Sequence, residues 1–326
     1  MDAVCQRAAC LTKNDAAFVT SGAAGGLILS VAACICGDDT EKMEMLPNVE
    51  GLPKNEVLIY DGAFHELAPY WKLIRLTGAR LVFVPPSVDA IKGAVNEHTA
   101  AFVLFPASLY EKGIPTCEES IPELKRLGVP VIVDAAAQLP PISNLWYYTK
   151  ELGCNAAVFS GGKHIRGPQS TGLIVGEPKL LQNCRKLASP NCRIGRAFKT
   201  GKEELAAFIT ALELFIAEPE ELKFGRQLAI LTKMQKRFSS KTELKQQMNS
   251  EGRLGTYQPL LLVTLPEGKT AKECNAFTRS YGTPVDIGVY PPEFDMPDNV
   301  IFLNAYNLKE EEADIVVDAV LAYLAD

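Results

Sequence analysis

The 326-residue sequence lacks an apolar run long enough to cross a bilayer. Its longest candidate, GLILSVAACICG (Gly26–Gly37), falls short of the roughly 20 residues that a spanning helix needs. The N-terminal MDAVCQRAAC has no basic segment leading into an apolar one, so no secretory signal is expected. There is no CxxC pair and no His/Cys spacing that suits zinc, and the nine cysteines are an odd number. The expectation is a metal-free cytoplasmic protein with reduced thiols, in which Cys34 and Cys36 are small core residues of a helix. Positive charge is not in excess either. A net charge of −6 argues against broad binding to phosphate backbones, and a nucleic-acid partner is disfavoured. No internal repeat or low-complexity segment is present.

What is present is an ordinary globular composition, 47% hydrophobic and 22% charged, with β-rich runs alternating with helical patterns. AAFVT (16–20), EVLIYD (56–61), RLVFVP (80–85), AAFVLFP (100–106), PVIVDAAA (130–137), AAVFS (156–160) and GLIVG (172–176) read as strands. Helices are expected around 66–77 and over IPELKRLG and NLWYYTKELG. Strands apolar throughout and spaced by helices imply an α/β class with a mostly parallel sheet covered on both faces. The stretch 38–56 reads as a polar loop. From about residue 200 the pattern changes to GKEELAAFITALELFIA, a break at Pro219, a helix over roughly 220–239, and a small α+β unit. The expected organisation is a large domain over 1–200, connecting helices over 201–240 and a small C-terminal domain over 241–326.

Three groups fall at expected strand ends, where parallel α/β sheets bind ligands. TSGAAGG (Thr20–Gly26) joins a strand to a helix with small residues, so backbone N–H groups could cradle an anion. It is neither a P-loop nor a GxGxxG fingerprint, and a plain tight turn is the other reading. Asp134 ends the apolar run VIVD; it either meets a cation or caps the next segment. Lys163, in FSGGKHIRGPQSTGLIVG, follows a strand expected to be buried, and is either salt-bridged or chemically used. An anion cradle, a buried carboxylate and a buried lysine together are what pyridoxal 5′-phosphate requires.

VDAAAQLPP, FSGGKHIRGPQSTGLIVG and IGRAFKTGKEEL resemble the selenocysteine synthase-like group of fold-type-I pyridoxal-phosphate enzymes. That group includes L-seryl-tRNA(Sec) selenium transferases and D-glucosaminate-6-phosphate ammonia-lyases. The resemblance runs from about residue 10 and is densest over 130–205. It implies that Lys163 carries the cofactor as an imine and that Asp134 partners its pyridinium nitrogen. It implies that Ser160 and the turn Ser21, Gly22 and Ala23 hold the phosphate, with Gln138 near the phenolic oxygen. His65 would stack on the ring, or cap a helix in a loop. His164 would contact phosphate or orient the loop, and Arg166 and Arg196 would grip anionic parts of a substrate or form surface ion pairs.

Two departures from the group bear on function. Its members carry an N-terminal arm of several dozen residues, whereas here Met1 stands 20 residues before Ser21, so tRNA is not the expected partner. Members often also carry a small-domain arginine, on a strand, for the substrate carboxylate. The segment PVDIGVYPPEFDMPDNVIFLNAYNL has none, and Arg279 is expected on a helix, which leaves Arg166 or Arg196 to replace it. The expected activity is α,β-elimination or β-replacement on an amino acid or amino sugar acid, with Lys163 as general base and a homodimer as the working unit. An aminotransferase, and a shortened non-catalytic paralogue used for binding or dimerisation, are the alternatives.

Overall fold

The computed structural model describes residues 1–62, 70–106, 113–248, 258–289 and 296–325. They form two compact units, Met1–Ala217 and Glu218 onward. The strands of the first unit are β1 (Ala16–Ser21), β2 (Glu56–Tyr60), β3 (Arg80–Val84), β4 (Thr99–Leu104), β5 (Val131–Asp134), β6 (Ala156–Ser160) and β7 (Thr171–Gly176). They make one sheet in the order β1-β7-β6-β5-β4-β2-β3. Its helices are α1 (Asp2–Leu11), α2 (Gly22–Cys36), α3 (Thr40–Met45), α4 (Trp71–Ile74), α5 (Val88–Ala94), α6 (Cys117–Arg126), α7 (Asn144–Trp146), α8 (Pro178–Leu187) and α9 (Lys202–Ala217).

β7 runs antiparallel to both of its neighbours, and the remaining pairs are parallel. Only residues 161–170 join β6 to β7, and they contain no helix. A parallel crossover needs a dozen residues or more, so the chain turns straight back. The carboxyl ends of the other six strands therefore lie along one edge of the sheet, the edge at which β7 begins. β2, β4 and β7 are buried along their whole length, as expected for strands covered on both faces.

α2 is apolar on nearly every side, and 11 of its 15 residues are buried. It rests directly on the sheet because Gly26 lacks a side chain. A β-carbon there would lie 2.7 Å from Val158 Cγ1 and 3.3 Å from Ile174 Cγ1. The stretch 38–56 is not wholly a loop, for it contains α3. Asp39 caps that helix, its carboxylate accepting the N–H groups of Glu41 and Lys42. All nine cysteines are free; burial pushes the thiols of Cys36 and Cys34 up to about 11 and about 12, which keeps them protonated.

The second unit contains α10 (Glu220–Gln235), α11 (Ala271–Thr278) and α12 (Ala313–Ala325), with strands β8 (Thr242–Met248), β9 (Gln258–Thr264), β10 (Gly288–Val289) and β11 (Val300–Leu303). The strands form an antiparallel sheet in the order β10-β11-β9-β8. Its core gathers Ile230, Leu231 and Met234 of α10, Leu261 and Val263 of β9, Ile301 of β11, and Val317 and Val320 of α12. Pro219 stands between α9 and α10 as the N-cap residue of α10, which is the break expected there. Among the described residues, no helix is long and apolar enough to cross a membrane.

The seating of α2 is open to test. Gly26→Ala forces a methyl group against a β-branched side chain in a filled interior and is expected to cost about 1–3 kcal/mol. Chemical denaturation of the variant against the parent reads this loss.

Candidate functional site

The register of the sheet assembles the sequence-derived residues. Ser21, the last residue of β1, pairs with Thr171, and Thr20 pairs with Gly172. Gly172 on its other side pairs with Ser160, the last residue of β6. Ser21 and Ser160 therefore flank the start of β7 from opposite sides, two strand spacings or roughly 10 Å apart. One strand further on, Asp134 ends β5 opposite Val158. Lys163 lies three residues beyond Ser160, in the turn that leaves the same edge.

The turn from β1 into α2 is held low over β7. Gly22 adopts a left-handed φ of +68°, and nothing lies within 4 Å of where a β-carbon would stand. Thr20 Oγ1 donates to the Gly22 carbonyl at 2.8 Å, which orients the next peptide. Beneath it, a β-carbon on Gly172 would overlap the Gly22 carbonyl and the Ala23 nitrogen. The first N–H groups of a helix have no carbonyl partner within it, and the Ser21 side chain makes no capping bond. The first amides of α2 are thus left without partners inside the helix, in an arrangement suited to an anion.

Asp134 is half-buried at its strand end. One carboxylate oxygen accepts the N–H of Ala136 at 3.1 Å, the local bond that the capping reading anticipated. Burial raises its pKa to about 6, against the opposing pull of that N–H and of the nearby Lys163 charge. The Lys163 charge thus eases the ionisation of Asp134, but by less than burial opposes it.

Lys163 itself departs from expectation: it is exposed rather than buried. β6 stops at Ser160, so the lysine belongs to the rim turn and not to the covered strand. In that turn Lys163 O accepts from Arg166 N at 3.0 Å and Gly161 O from Gly167 N at 2.8 Å. His164 is half-buried, and exposed Arg166 has a left-handed φ of +61°, a strain of about 1–2 kcal/mol for a side-chain-bearing residue.

Other expected residues are placed differently. Gln138 is buried, and its Nε2 donates to the Pro106 carbonyl at 2.9 Å, so that donor is already engaged. Arg196 is exposed in a helical turn with Phe198, and its Nη1 donates to Ser189 Oγ at 2.8 Å. The Phe198 ring reaches to 3.2 Å from where a β-carbon on Gly25 would stand, which sets that turn against the start of α2. His65 lies outside the described residues, as does the first part of the helix expected at 66–77. The structure thus brings Ser21, Gly22, Ala23, Asp134, Ser160, Lys163, His164 and Arg166 to one sheet edge. Sequence reading included Thr20 in the turn but gave its hydroxyl no role, and it missed Gly172, although the glycine in STGLIVG was the available signal.

Asp134 yields a pH-dependent expectation. The fold favours its protonated form, so this contribution to stability is complete below about pH 4 and is lost as pH rises through about 6. Asp134→Asn removes the burial cost of the charge. It should raise the stability of the cofactor-free protein by about 1–3 kcal/mol at pH 7–8, with the gain vanishing near pH 4. Denaturation midpoints across that pH range read the difference.

No protein-family profile matches the chain. A 5′-C-glycyluridine monooxygenase-decarboxylase from Streptomyces sp is 32% identical over 234 residues, covering 68% of this chain and 55% of that protein. A D-glucosaminate-6-phosphate ammonia lyase from Salmonella typhimurium is 29% identical over 207 residues, covering 62% of this chain and 54% of the relative. The chain thus spans about half the length of the curated relatives it matches. A solved structure of a D-glucosaminate-6-phosphate ammonia-lyase superimposes with a TM-score of 0.79 at 22% identity, covering 99% of this chain and 86% of that one. By sequence relationship and by fold, the chain belongs to the selenocysteine synthase-like group of fold-type-I pyridoxal-phosphate proteins.

Proposed function

We propose that this chain binds pyridoxal 5′-phosphate at the carboxyl edge of its large sheet and acts on an amino acid or amino sugar acid, by α,β-elimination in preference to β-replacement. The observation that carries the reading is that Asp134 ends β5 beside β6, and the turn that bears Lys163 leaves the end of β6 at the same sheet edge, near enough for the lysine charge to act on the carboxyl group. The residues fit the cofactor. The β1–α2 turn leaves open space at Gly22, and the Ser21 hydroxyl makes no capping bond to the first amides of α2. Asp134 is a carboxyl group whose ionised form is costly until a cationic group comes to rest beside it.

When bound, the cofactor would supply an electron sink for a bond broken at the substrate α-carbon. The chain's own residues do the rest. Ser21, Gly22 and Ala23, with Ser160 across β7, hold the phosphate through one or two hydroxyls and backbone N–H groups. Asp134 places a negative charge beside the ring nitrogen and keeps its proton there. Lys163 Nζ anchors the cofactor and, when free, takes the proton from the substrate α-carbon. Exposure of Lys163 suits a group that a substrate must reach. Arg166, exposed and with no acidic side chain paired to it among the described residues, would meet an anionic part of the substrate. Arg196 would serve the same end only by leaving Ser189.

Elimination is favoured because the D-glucosaminate-6-phosphate ammonia lyase relative is matched both in sequence and in fold. The decarboxylase named among the relatives makes a second bond at the α-carbon worth assaying. A homodimer, in which residues of the partner subunit help to complete the site, belongs to the same reading.

Lys163→Ala should abolish cofactor attachment that borohydride makes permanent, with a wild-type fold by circular dichroism. Mass spectrometry of the reduced wild-type protein should find the added mass on Lys163. A reduced adduct absent from the wild type, or unchanged in Lys163→Ala, contradicts the assignment. A panel of hydroxylated amino acids, phosphorylated amino sugar acids and glycyl nucleosides, followed by ammonia and carbon dioxide release, then identifies the reaction.

A further inference from the structure

We propose that Gln169 is a positioning residue that fixes the peptide leading into Lys163; the inference rests on the reading of Lys163 as the cofactor-bearing lysine. Gln169 Nε2 donates to the carbonyl of Gly162, the carbonyl that shares a peptide bond with the Lys163 nitrogen, at 3.2 Å. The contact is built into the backbone as well. A β-carbon on Gly162 would lie 2.5 Å from Gln169 Cα, 2.7 Å from its Oε1 and 3.0 Å from its Cδ. Gly162 thus gives up its side chain so that Gln169 can fold over it.

The strap that carries Gln169 is fastened on both sides. Before it, the Pro168 carbonyl accepts both Thr171 N at 2.9 Å and Thr171 Oγ1 at 2.7 Å. After it, Ser170 Oγ donates to Glu204 in the first turn of α9, and the other oxygen of Glu204 accepts Gly201 N at 2.7 Å. Phe208 of α9 closes the underside, 2.9 Å from where a β-carbon on Gly161 would stand. A rigid strap pressing one amide onto the Gly162 carbonyl fixes the direction in which the exposed Lys163 side chain leaves the main chain. A long, four-carbon side chain reaches a reactive pose more often when its root cannot rotate.

The test uses the whole chain, with pyridoxal 5′-phosphate as the probe. Gln169→Glu keeps the shape but, ionised at pH 8, has no donor for the carbonyl. Gln169→Ala removes the contact altogether. Attachment to Lys163 is fixed with borohydride over time and read by mass spectrometry at several cofactor concentrations. The saturating rate should fall about 5–10-fold in both variants, the equivalent of one lost hydrogen bond. The concentration giving half the saturating rate should not change, because the Ser21–Ala23 turn is untouched. A general loss of fold would move both. An unchanged saturating rate, or a loss confined to the half-saturation concentration, overturns the proposal. Amide exchange of residues 161–167 in the cofactor-free protein gives a second reading, with about 10-fold faster exchange expected in Gln169→Glu. If the wild type takes up no cofactor, the functional reading fails, and the exchange measurement alone decides whether Gln169 holds the turn; equal exchange sinks it.

Discussion

A carboxyl group held where its charge is costly sets the terms for this site. Asp134 ends a strand whose other residues are wholly buried, and burial raises its pKa to about 6. The single N–H from Ala136 and the charge of Lys163 offset that cost only in part. A fold selected for stability alone has no use for such a group, because an amide of the same shape carries no charge to desolvate. The carboxylate acquires a purpose once a cationic ring nitrogen lies against it. Under the proposed function, relief of that cost would form part of the affinity for the cofactor.

A second constraint is steric. The anion-facing turn after β1 exists in its present position because two glycines give way to it. Gly26 lets α2 settle against Val158 and Ile174, and Gly172 leaves room for the turn backbone itself. Thr20, bonded to the Gly22 carbonyl, then fixes the peptide orientation. The same device recurs at the opposite side of β7, where Gly161 and Gly162 make room for Phe208 and Gln169. Both ends of the site are thus shaped by absent side chains, and the functional groups are carried on backbone that packs too closely to move freely.

Much of this was legible in the sequence. Apolar runs ending at Thr20, Asp134 and Ser160 marked strand ends, the first one residue short of the observed end at Ser21, and strand ends in parallel sheets are where ligands bind. The adjacency of β5, which ends at Asp134, and β6, which leads into the Lys163 turn, followed from one intervening helix. Other features were not legible for physical reasons. The reversal of β7 depended on the length of the 161–170 connection rather than on residue type. β8, with the polar sequence TELKQQM, is a strand because β9 supplies its partner and not through its own pattern. α3 was hidden in a polar stretch and owes its place to the single cap at Asp39. The end of β6 at Ser160 was read correctly, but the exposure of Lys163 was not, because how far a turn residue is covered depends on packing that composition does not encode. Gln138 looked free to reach a ligand, but its amide is committed to the Pro106 carbonyl, a contact 32 residues away in the chain.

A structure of the protein with pyridoxal 5′-phosphate bound tests the central claim most directly. The account predicts an Asp134 carboxylate oxygen about 2.6–3.0 Å from the ring nitrogen, the phosphate on the Ser21–Ala23 turn, and a covalent bond from Lys163 Nζ. A cofactor whose ring nitrogen faces solvent, or whose phosphate rests elsewhere than on that turn, would contradict it.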